Sequence, residues 1–92
     1  MEPVVKTKVV HCKKEKYDVY IGRGSEWGNP FPAGMYGRIG CIKKFTQWIE
    51  RQPHLMNKIK TLKGKTLGCW CKPLACHGDV LLELTGRMYG VR

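Results

Sequence analysis

The sequence predicts an α/β fold from the alternation of strand-like and helix-like segments. Short segments rich in β-branched or apolar residues lie at 6–12, 17–21 and 66–71 and have the composition of strands. Between the second and the third, apolar residues recur at helical spacing. If the first and third strands pair in parallel, the intervening helices form the crossover. This order predicts a minimal Rossmann-like sheet of three to four strands with about three helices, as a single domain over residues 1–92.

The first two strands lie close together in the chain. The polar turn Lys13-Lys14-Glu15-Lys16 separates them, so the second strand, which stops at Gly22, is a candidate hairpin partner of the first. The next segment, 22–32, contains three glycines and two prolines, which exclude regular structure.

The Gly-rich segment 22–32 carries residues suited to ligand binding. Arg23 can donate two hydrogen bonds to a phosphate or carboxylate. Trp27 and Phe31 offer ring faces for a base or another ring, and Trp27 is the residue expected to stack on the base. Ser25 and Asn29 can orient a ligand by hydrogen bonds. The alternative is an irregular loop whose aromatic residues, Trp27 and Phe31, cap the core.

The middle of the chain predicts helices. Residues 35–40 are interpreted as a further loop. From Cys41 an amphipathic helix follows and ends near Pro53, and a second short helix ends before Gly64. The lysines at 58, 60, 63 and 65 suit the end of that helix; contact with nucleic acid is the alternative.

The segment 66–84 predicts a strand, a loop and a helix that stops at Gly86. The tail, 87–92, could add an edge strand, pack on a neighbouring subunit or fray. Ligands of open α/β sheets bind at the carboxyl ends of the strands. We therefore expect the loops at 22–32 and 72–79 to face one pocket.

Composition limits the class of protein and its partners. The 92 residues carry a formal net charge of +10, which attracts nucleic acid, nucleotides or other phosphates. No apolar run approaches the roughly 18 residues of a membrane span, and the N-terminus lacks a signal-peptide core. We expect a cytoplasmic protein whose five cysteines are reduced or bind metal. The small size favours a homo-oligomer.

The cysteines near the third strand allow a metal site. Cys69 and Cys71 would point to one face of a strand, and Cys76 and His77 could complete a Cys3His zinc site. The spacing is not that of a common zinc knuckle, and buried cysteines often act as small hydrophobic residues. Nucleophilic catalysis by Cys71 or Cys76 is a further alternative.

The same loop also allows an anion site. It ends at a helix start, where free backbone N–H groups bind phosphate, and Lys72 and His77 would add donors beside Gly78. Asp79 is suited to cap the helix. Its charge would oppose a phosphate placed there, but it could accept a hydrogen bond from a ribose hydroxyl or a base amino group.

Two long motifs resemble one protein family. Residues 22–31, GRGSEWGNPF, and residues 67–81, LGCWCKPLACHGDVL, are similar to the two signatures of the domain of unknown function 4326 family, found in bacteria and phages. The resemblance covers nearly the whole chain. It implies a Rossmann-like fold and a nucleotide-derived ligand by analogy, with no established activity to carry over.

We therefore expect a domain that binds a nucleotide or nucleotide-derived molecule between its two loops. The resemblance and its phage context suggest a phage protein that sequesters a nucleotide immune signal of the host. The alternatives are an enzyme acting on a nucleotide or nucleoside, as a hydrolase or transferase, and a basic nucleic-acid-binding module stabilised by zinc.

Overall fold

A computed structural model describes residues 6–89, in which three parallel strands form one sheet with three α-helices. The elements in chain order are β1 (Lys8–His11), β2 (Val19–Tyr20), α1 (Ala33–Ile49), α2 (Pro53–Lys58), a 3₁₀ turn (Ile59–Leu62), β3 (Thr66–Cys69) and α3 (His77–Tyr89). The predicted mixed α/β class is confirmed at this level.

The sheet has the order β1-β3-β2, with β3 in the centre and parallel to both neighbours. The predicted parallel pairing of the first and third strands is confirmed, with Lys8 opposite Thr66. The predicted hairpin is wrong. The apolar strand β3 has a neighbour on both edges, as is typical of a buried parallel strand. Asp18 holds the start of β2 against β3. The Asp18 N–H donates to the Thr66 carbonyl (2.7 Å), and the Asp18 carboxylate accepts from the Thr66 N–H (2.8 Å).

Helix α1 begins earlier than predicted. The segment 35–40, expected as a loop, lies inside the helix. Gly37 interrupts it with a φ of 72° and a ψ of 166°, a conformation that glycine adopts without steric cost. Because the side chains from Ala33 to Ile39 are exposed, this first part shows no apolar periodicity. The later part buries Phe45 and Ile49.

The predicted second helix is present as α2 followed by the 3₁₀ turn. Pro53 occupies the first turn, where a missing N–H costs nothing. Leu55, Ile59 and Leu62 are buried at the predicted spacing. Gly64, with a φ of 75°, turns the chain into β3.

Helix α3 begins at His77 and passes through Gly86, so the predicted stop at Gly86 is wrong. Buried Thr85 stays in the helix by donating from Oγ1 to the Leu81 carbonyl (2.6 Å). The predicted edge strand over 87–92 is wrong for residues 87–89, which are helical. Residues 90–92 lie outside the described part.

One core joins the sheet to the helices. It draws on β3, the three helices, the 3₁₀ turn, the Gly-rich loop and the residues next to β2 and α3. Its members are Ile21, Trp27, Phe45, Ile49, Leu55, Ile59, Leu62, Leu67, Cys69, Cys76, Leu81 and Leu84. Within residues 6–89, no helix has the length and apolar character needed to cross a membrane.

Candidate ligand-binding pocket

A pocket of about 370 Å³ opens where β2 and β3 end. The Gly-rich loop, the start of α1 and the loop before α3 form its walls, so both loops expected to face a pocket contribute to this one. Its lining residues are Tyr20, Gly22, Arg23, Asn29, Phe31, Ala33, Arg38, Cys41, Ile42, Trp70, Cys71, Ala75, Cys76 and His77.

Within the Gly-rich loop, Ser25 and Trp27 stabilise the protein and do not line the pocket. Ser25 Oγ donates to the Gly22 carbonyl (2.7 Å), and the Gly28 N–H donates to the Ser25 carbonyl (3.0 Å). Trp27 is 2% exposed and belongs to the core. Its ring is covered by protein, so the structure does not place it where the expected stacking on a base could occur.

Asn29 lines the pocket and ties the Gly-rich loop to α1. Its Nδ2 donates to the Cys41 carbonyl (3.2 Å), and its Oδ1 accepts from the Phe31 N–H (2.9 Å). Both ends of the amide therefore have protein partners. Asn29 shapes the wall, whereas the sequence suggested that it orients the ligand directly.

Trp70 supplies the exposed aromatic face that Trp27 does not. It follows β3 directly and is 53% exposed. Its Nε1 donates to Tyr20 Oη (2.9 Å), and the His11 ring packs edge-on at 5.8 Å between centroids. The Lys13 ammonium lies 5.4 Å from the Trp70 ring centroid. The indole is thus held in place at the pocket wall with positive charge beside it.

Two arginines give the pocket a positive lining. The Arg23 guanidinium makes no hydrogen bond or ion pair within residues 6–89, so its donors are available to a ligand. Arg38 Nη1 donates to the Ala75 carbonyl (3.1 Å), which fixes the side chain between α1 and the loop before α3. Asp and Glu are absent from the described lining residues.

His77 lines the pocket as a neutral acceptor. Its Nε2 contacts the Ile21 carbonyl at 2.6 Å, and because a carbonyl only accepts, Nε2 carries the proton. Within residues 6–89, every fully buried side-chain nitrogen and oxygen atom has a hydrogen-bond partner. His77 Nδ1 has no partner there, so this atom is not fully buried and is accessible. Burial lowers the pKa of His77 from its ordinary value of 6.5. The sequence suggested His77 as a donor to an anion, but its ring N–H is directed to the Ile21 carbonyl.

The start of α3 is occupied by the protein's own acidic side chain. Asp79 Oδ2 accepts from the Cys76 N–H (3.1 Å), and Asp79 Oδ1 pairs with Lys72 Nζ (2.5 Å). The expected capping role of Asp79 is confirmed. Gly78 lies against the sheet, where an added Cβ would come within 2.9 Å of Ile21 Cδ1. Lys72, Gly78 and Asp79 therefore hold α3 in place, and the phosphate site expected there is filled by a carboxylate.

The cysteines form a sulfur pair instead of a tetrahedral site. Cys69 Sγ lies 3.4 Å from Cys76 Sγ, and both residues are buried. Cys71 lies in the pocket wall, and the His77 Nε2 proton is directed to Ile21. Among the described residues, no group of three or more His, Cys, Asp and Glu side chains is arranged to hold a metal ion. The zinc ligand set expected from the sequence is thus not assembled.

The two sulfur atoms share one proton unequally. The hydrogen bond from the Cys76 thiol is the main cause that lowers the pKa of Cys69 to about 5 in spite of its burial, and the backbone near Cys71 and Lys72 acts in the same direction. The hydrogen bond to Cys69, with burial, raises the pKa of Cys76. The proton therefore stays on Cys76, and Cys69 has thiolate character.

Sequence reasoning missed Tyr20, Arg38 and Trp70 as lining residues. Trp70 could have been found from its place directly after the central strand, at the edge where ligands bind. For Arg38 the sequence holds no such signal, because it lies in an exposed segment between Gly37 and Gly40.

The fold and the site define a small parallel α/β protein with a basic, aromatic-lined pocket at the carboxyl ends of its strands. The chain belongs to the family called domain of unknown function (DUF4326), whose profile matches residues 5–87.

Two viral relatives are similar to this chain. An uncharacterized 12.4 kDa protein from the nrdA-td intergenic region of Enterobacteria phage T4 is 34% identical over 86 residues, covering 89% of this chain and 80% of the relative. An uncharacterized protein of Acanthamoeba polyphaga mimivirus is 38% identical over 87 residues, covering 73% of this chain and 65% of that protein. No solved structure matches the chain significantly.

Proposed function

We propose that this protein binds a nucleotide or nucleotide-derived small molecule in the pocket between its two loops. The observation that carries the proposal is the lining itself, which combines two arginines with the exposed ring of Trp70 and contains no carboxylate among its described members. A nucleotide needs both features: positive charge for phosphate and an aromatic face for the base.

The geometry supports a different division of roles from that expected from the sequence. Arg23 and Arg38 hold the phosphate, in place of the start of α3. Trp70 stacks on the base, in place of Trp27. His77 Nδ1 accepts a hydrogen bond from an amino or hydroxyl group of the ligand. The volume of about 370 Å³ lies within the range of roughly 300–1,000 Å³ typical of small-molecule sites.

The finer fold assignment also belongs to this proposal. A parallel sheet with a pocket at its carboxyl edge is the arrangement of Rossmann-like nucleotide-binding domains, and the order β1-β3-β2 is compatible with a minimal version of it. We place the protein in the cytoplasm, where nucleotides are abundant, and we propose sequestration of a host nucleotide immune signal as the role of a phage-encoded copy.

Calorimetric titration with a panel of ligands tests the proposal. The panel contains nucleoside mono-, di- and triphosphates, a dinucleotide and cyclic dinucleotides. At least one should bind the wild type, and Arg23→Ala should weaken it roughly 10- to 100-fold, the loss expected for a charge-assisted hydrogen bond. Trp70→Ala should weaken it by about 1–3 kcal/mol, the contribution of one stacked base.

The matched control is Lys60→Ala, which removes an exposed cation from the 3₁₀ turn and should leave affinity unchanged. Equal losses in Arg23→Ala and Lys60→Ala would show that overall charge, and not the pocket, attracts the ligand. After long incubation, chromatography should recover the ligand intact. A new product peak would instead support the nucleotide hydrolase or transferase.

A further inference from the structure

The sulfur pair beside the pocket has a geometry that the proposed ligand binding does not use. Cys69 Sγ and Cys76 Sγ are 3.4 Å apart, close enough that a small movement would bring them to the length of a disulfide bond. Cys69 is fixed at the end of β3, whereas Cys76 is fixed by the Asp79 carboxylate at the start of α3. The fold therefore holds two cysteines, seven positions apart in the chain, in contact with each other.

The two sulfur atoms differ in their position relative to the pocket. Both cysteines are buried, but Cys76 borders the pocket and Cys69 lies behind it. A small oxidant that enters the pocket therefore meets Cys76 first. The contact with the Cys76 thiol, together with the backbone near Cys71 and Lys72, stabilises negative charge on the Cys69 sulfur. Cys76 is thus the thiol at the pocket, and Cys69 is placed to act as the resolving nucleophile.

We propose that Cys69 and Cys76 form a reversible oxidation site, at which a peroxide that enters the pocket converts the two thiols to a disulfide. As the Cys76 sulfur attacks one oxygen of hydrogen peroxide, the Cys69 thiolate acts as the base and accepts the Cys76 proton across the contact. The O–O bond breaks, a sulfenic acid forms on Cys76, and the hydroxide that leaves takes the proton back from Cys69 to form water.

The second step closes the bond. The Cys69 thiolate attacks the Cys76 sulfur, the S–S bond forms, the S–O bond breaks, and a second hydroxide leaves and is protonated by solvent. Overall, the cysteine pair loses two electrons and hydrogen peroxide is reduced to two molecules of water. A dithiol reductant reverses the reaction by thiol–disulfide exchange. The site does not depend on which molecule the pocket binds.

Differential alkylation of the full chain tests the proposal. The reduced protein, freed of metal by a chelator, is treated with hydrogen peroxide, and free thiols are blocked with one reagent. The chain is then reduced and labelled with a second reagent. Trypsin does not cleave between Lys72 and Pro73, so Cys69, Cys71 and Cys76 stay in one peptide. Fragmentation of this peptide then shows which cysteine carries which label.

The second label should appear on Cys69 and Cys76, and Cys12, Cys41 and Cys71 should carry the first. The pair should be lost roughly tenfold faster than Cys12, because thiolate character promotes thiol oxidation and the two sulfur atoms of the pair are in contact. Second label on Cys71 in place of either partner, chains linked to each other, or no second label at all would each overturn the proposal.

Two variants separate the pair from its neighbour. Cys71→Ser removes the other thiol of the pocket wall and should keep the disulfide. Cys76→Ser should abolish it and leave Cys69 reduced, because Cys69 is fully buried. If circular dichroism shows that Cys76→Ser does not fold, the positions of the labels in the wild type and in Cys71→Ser still test the proposal.

Discussion

His77 determines the polarity of the pocket at the residue scale. Its buried ring donates to the Ile21 carbonyl and packs against Phe45 at 5.1 Å between centroids. Burial favours the neutral form of the ring and outweighs the hydrogen bond to the Ile21 carbonyl, which favours the protonated form. Among the described lining residues, positive charge therefore comes from Arg23 and Arg38. A ligand group that meets Nδ1 must therefore be a donor, such as an amino or hydroxyl group.

The shifted groups predict that stability rises with pH across the neutral range. Burial lowers the pKa of His77 from 6.5, and the donors around Cys69 lower its pKa from 9.0 to about 5. In both cases the unfolded chain binds more protons, so stability increases with pH between about pH 5 and about pH 9. Above that window, the raised pKa of Cys76 reverses the slope.

Denaturant unfolding checks this expectation at about pH 5.5, about pH 7 and about pH 8.5. His77→Gln should flatten the acidic part of the dependence, and the exposed His54→Gln is the matched control. A free energy of unfolding that is constant or falls across this range would contradict the assigned environments of His77 and Cys69.

The sequence could identify residue types for this pocket but not their orientation. Arg23, Asn29, Cys71, Cys76 and His77 were singled out from motifs and do line it. Trp27 and Trp70 could not be distinguished by type. Burial depends on how the Gly-rich loop folds over α1, and no local pattern records that contact.

At the scale of elements, α3 is placed by the residues that the motif suggested for ligand binding. The Asp79 carboxylate satisfies the Cys76 N–H, and Gly78 allows the helix start to approach β1 and the residue after β2. The motif's Gly-Asp pair thus specifies helix start and packing. Gly78 and Asp79 do not line the pocket themselves; they hold the start of α3, and its first residue, His77, does line it.

Removing the cap should lower stability without removing binding. Asp79→Ala loses the hydrogen bond to Cys76 and should cost about 1 kcal/mol of unfolding free energy, as for other helix caps. It also frees the Lys72 ammonium, so affinity for an anionic nucleotide should be kept. Thermal unfolding and calorimetry on one sample check both effects. A loss of affinity as large as that of Arg23→Ala would make Asp79 a ligand contact.

Close packing at Gly78 gives a second test at this scale. In Gly78→Ala, the added Cβ would lie 2.9 Å from Ile21 Cδ1 and 3.0 Å from Val9 Cγ1, so overpacking should cost about 1–3 kcal/mol. Gly34→Ala is the matched control, because an added Cβ there meets no atom within 4 Å. It should instead stabilise α1 by about 0.5–1 kcal/mol. Equal effects in denaturant unfolding would contradict the described approach of α3 to the sheet.

The order of elements was predictable because each has a local signature, whereas their pairing was not. Short β1 and β2 with a polar turn between them are typical of a hairpin. The competing factor is the apolar strand β3, far away in sequence, which stabilises both when they cover its two edges. The exposed start of α1 lacked a periodic signal altogether.

At the scale of the whole molecule, the net charge of +10 attracts anions to the protein as a whole and not only to the pocket. Binding of a single nucleotide should weaken only modestly with salt, because few phosphates are neutralised. Binding of a nucleic-acid polymer through the lysines at 58–65 should weaken steeply. Calorimetric titration of the best-binding nucleotide in rising salt checks this, and a steep loss would favour the nucleic-acid-binding module.

A homo-oligomer stays a prediction, supported by exposed apolar side chains beside the pocket. Met35 is 72%, Ile39 61% and Leu74 54% exposed. The hydrogen bond from Arg38 to Ala75 joins the two segments that carry them. Light scattering after size exclusion should give a mass above 10.6 kDa for the wild type. Ile39→Glu should shift it towards the monomer, whereas a monomeric wild type would contradict the prediction.

The most direct test of nucleotide binding is an NMR titration that follows the indole N–H signals of the three tryptophans. The ligand panel of nucleoside phosphates and dinucleotides is added to the labelled, reduced protein. We predict that at least one ligand shifts the indole N–H signal of Trp70 together with amide signals of the Gly-rich loop. The indole N–H signal of buried Trp27 should not shift. If no ligand moves Trp70, or if the shifts fall on the lysines at 58–65, the pocket is not a nucleotide site.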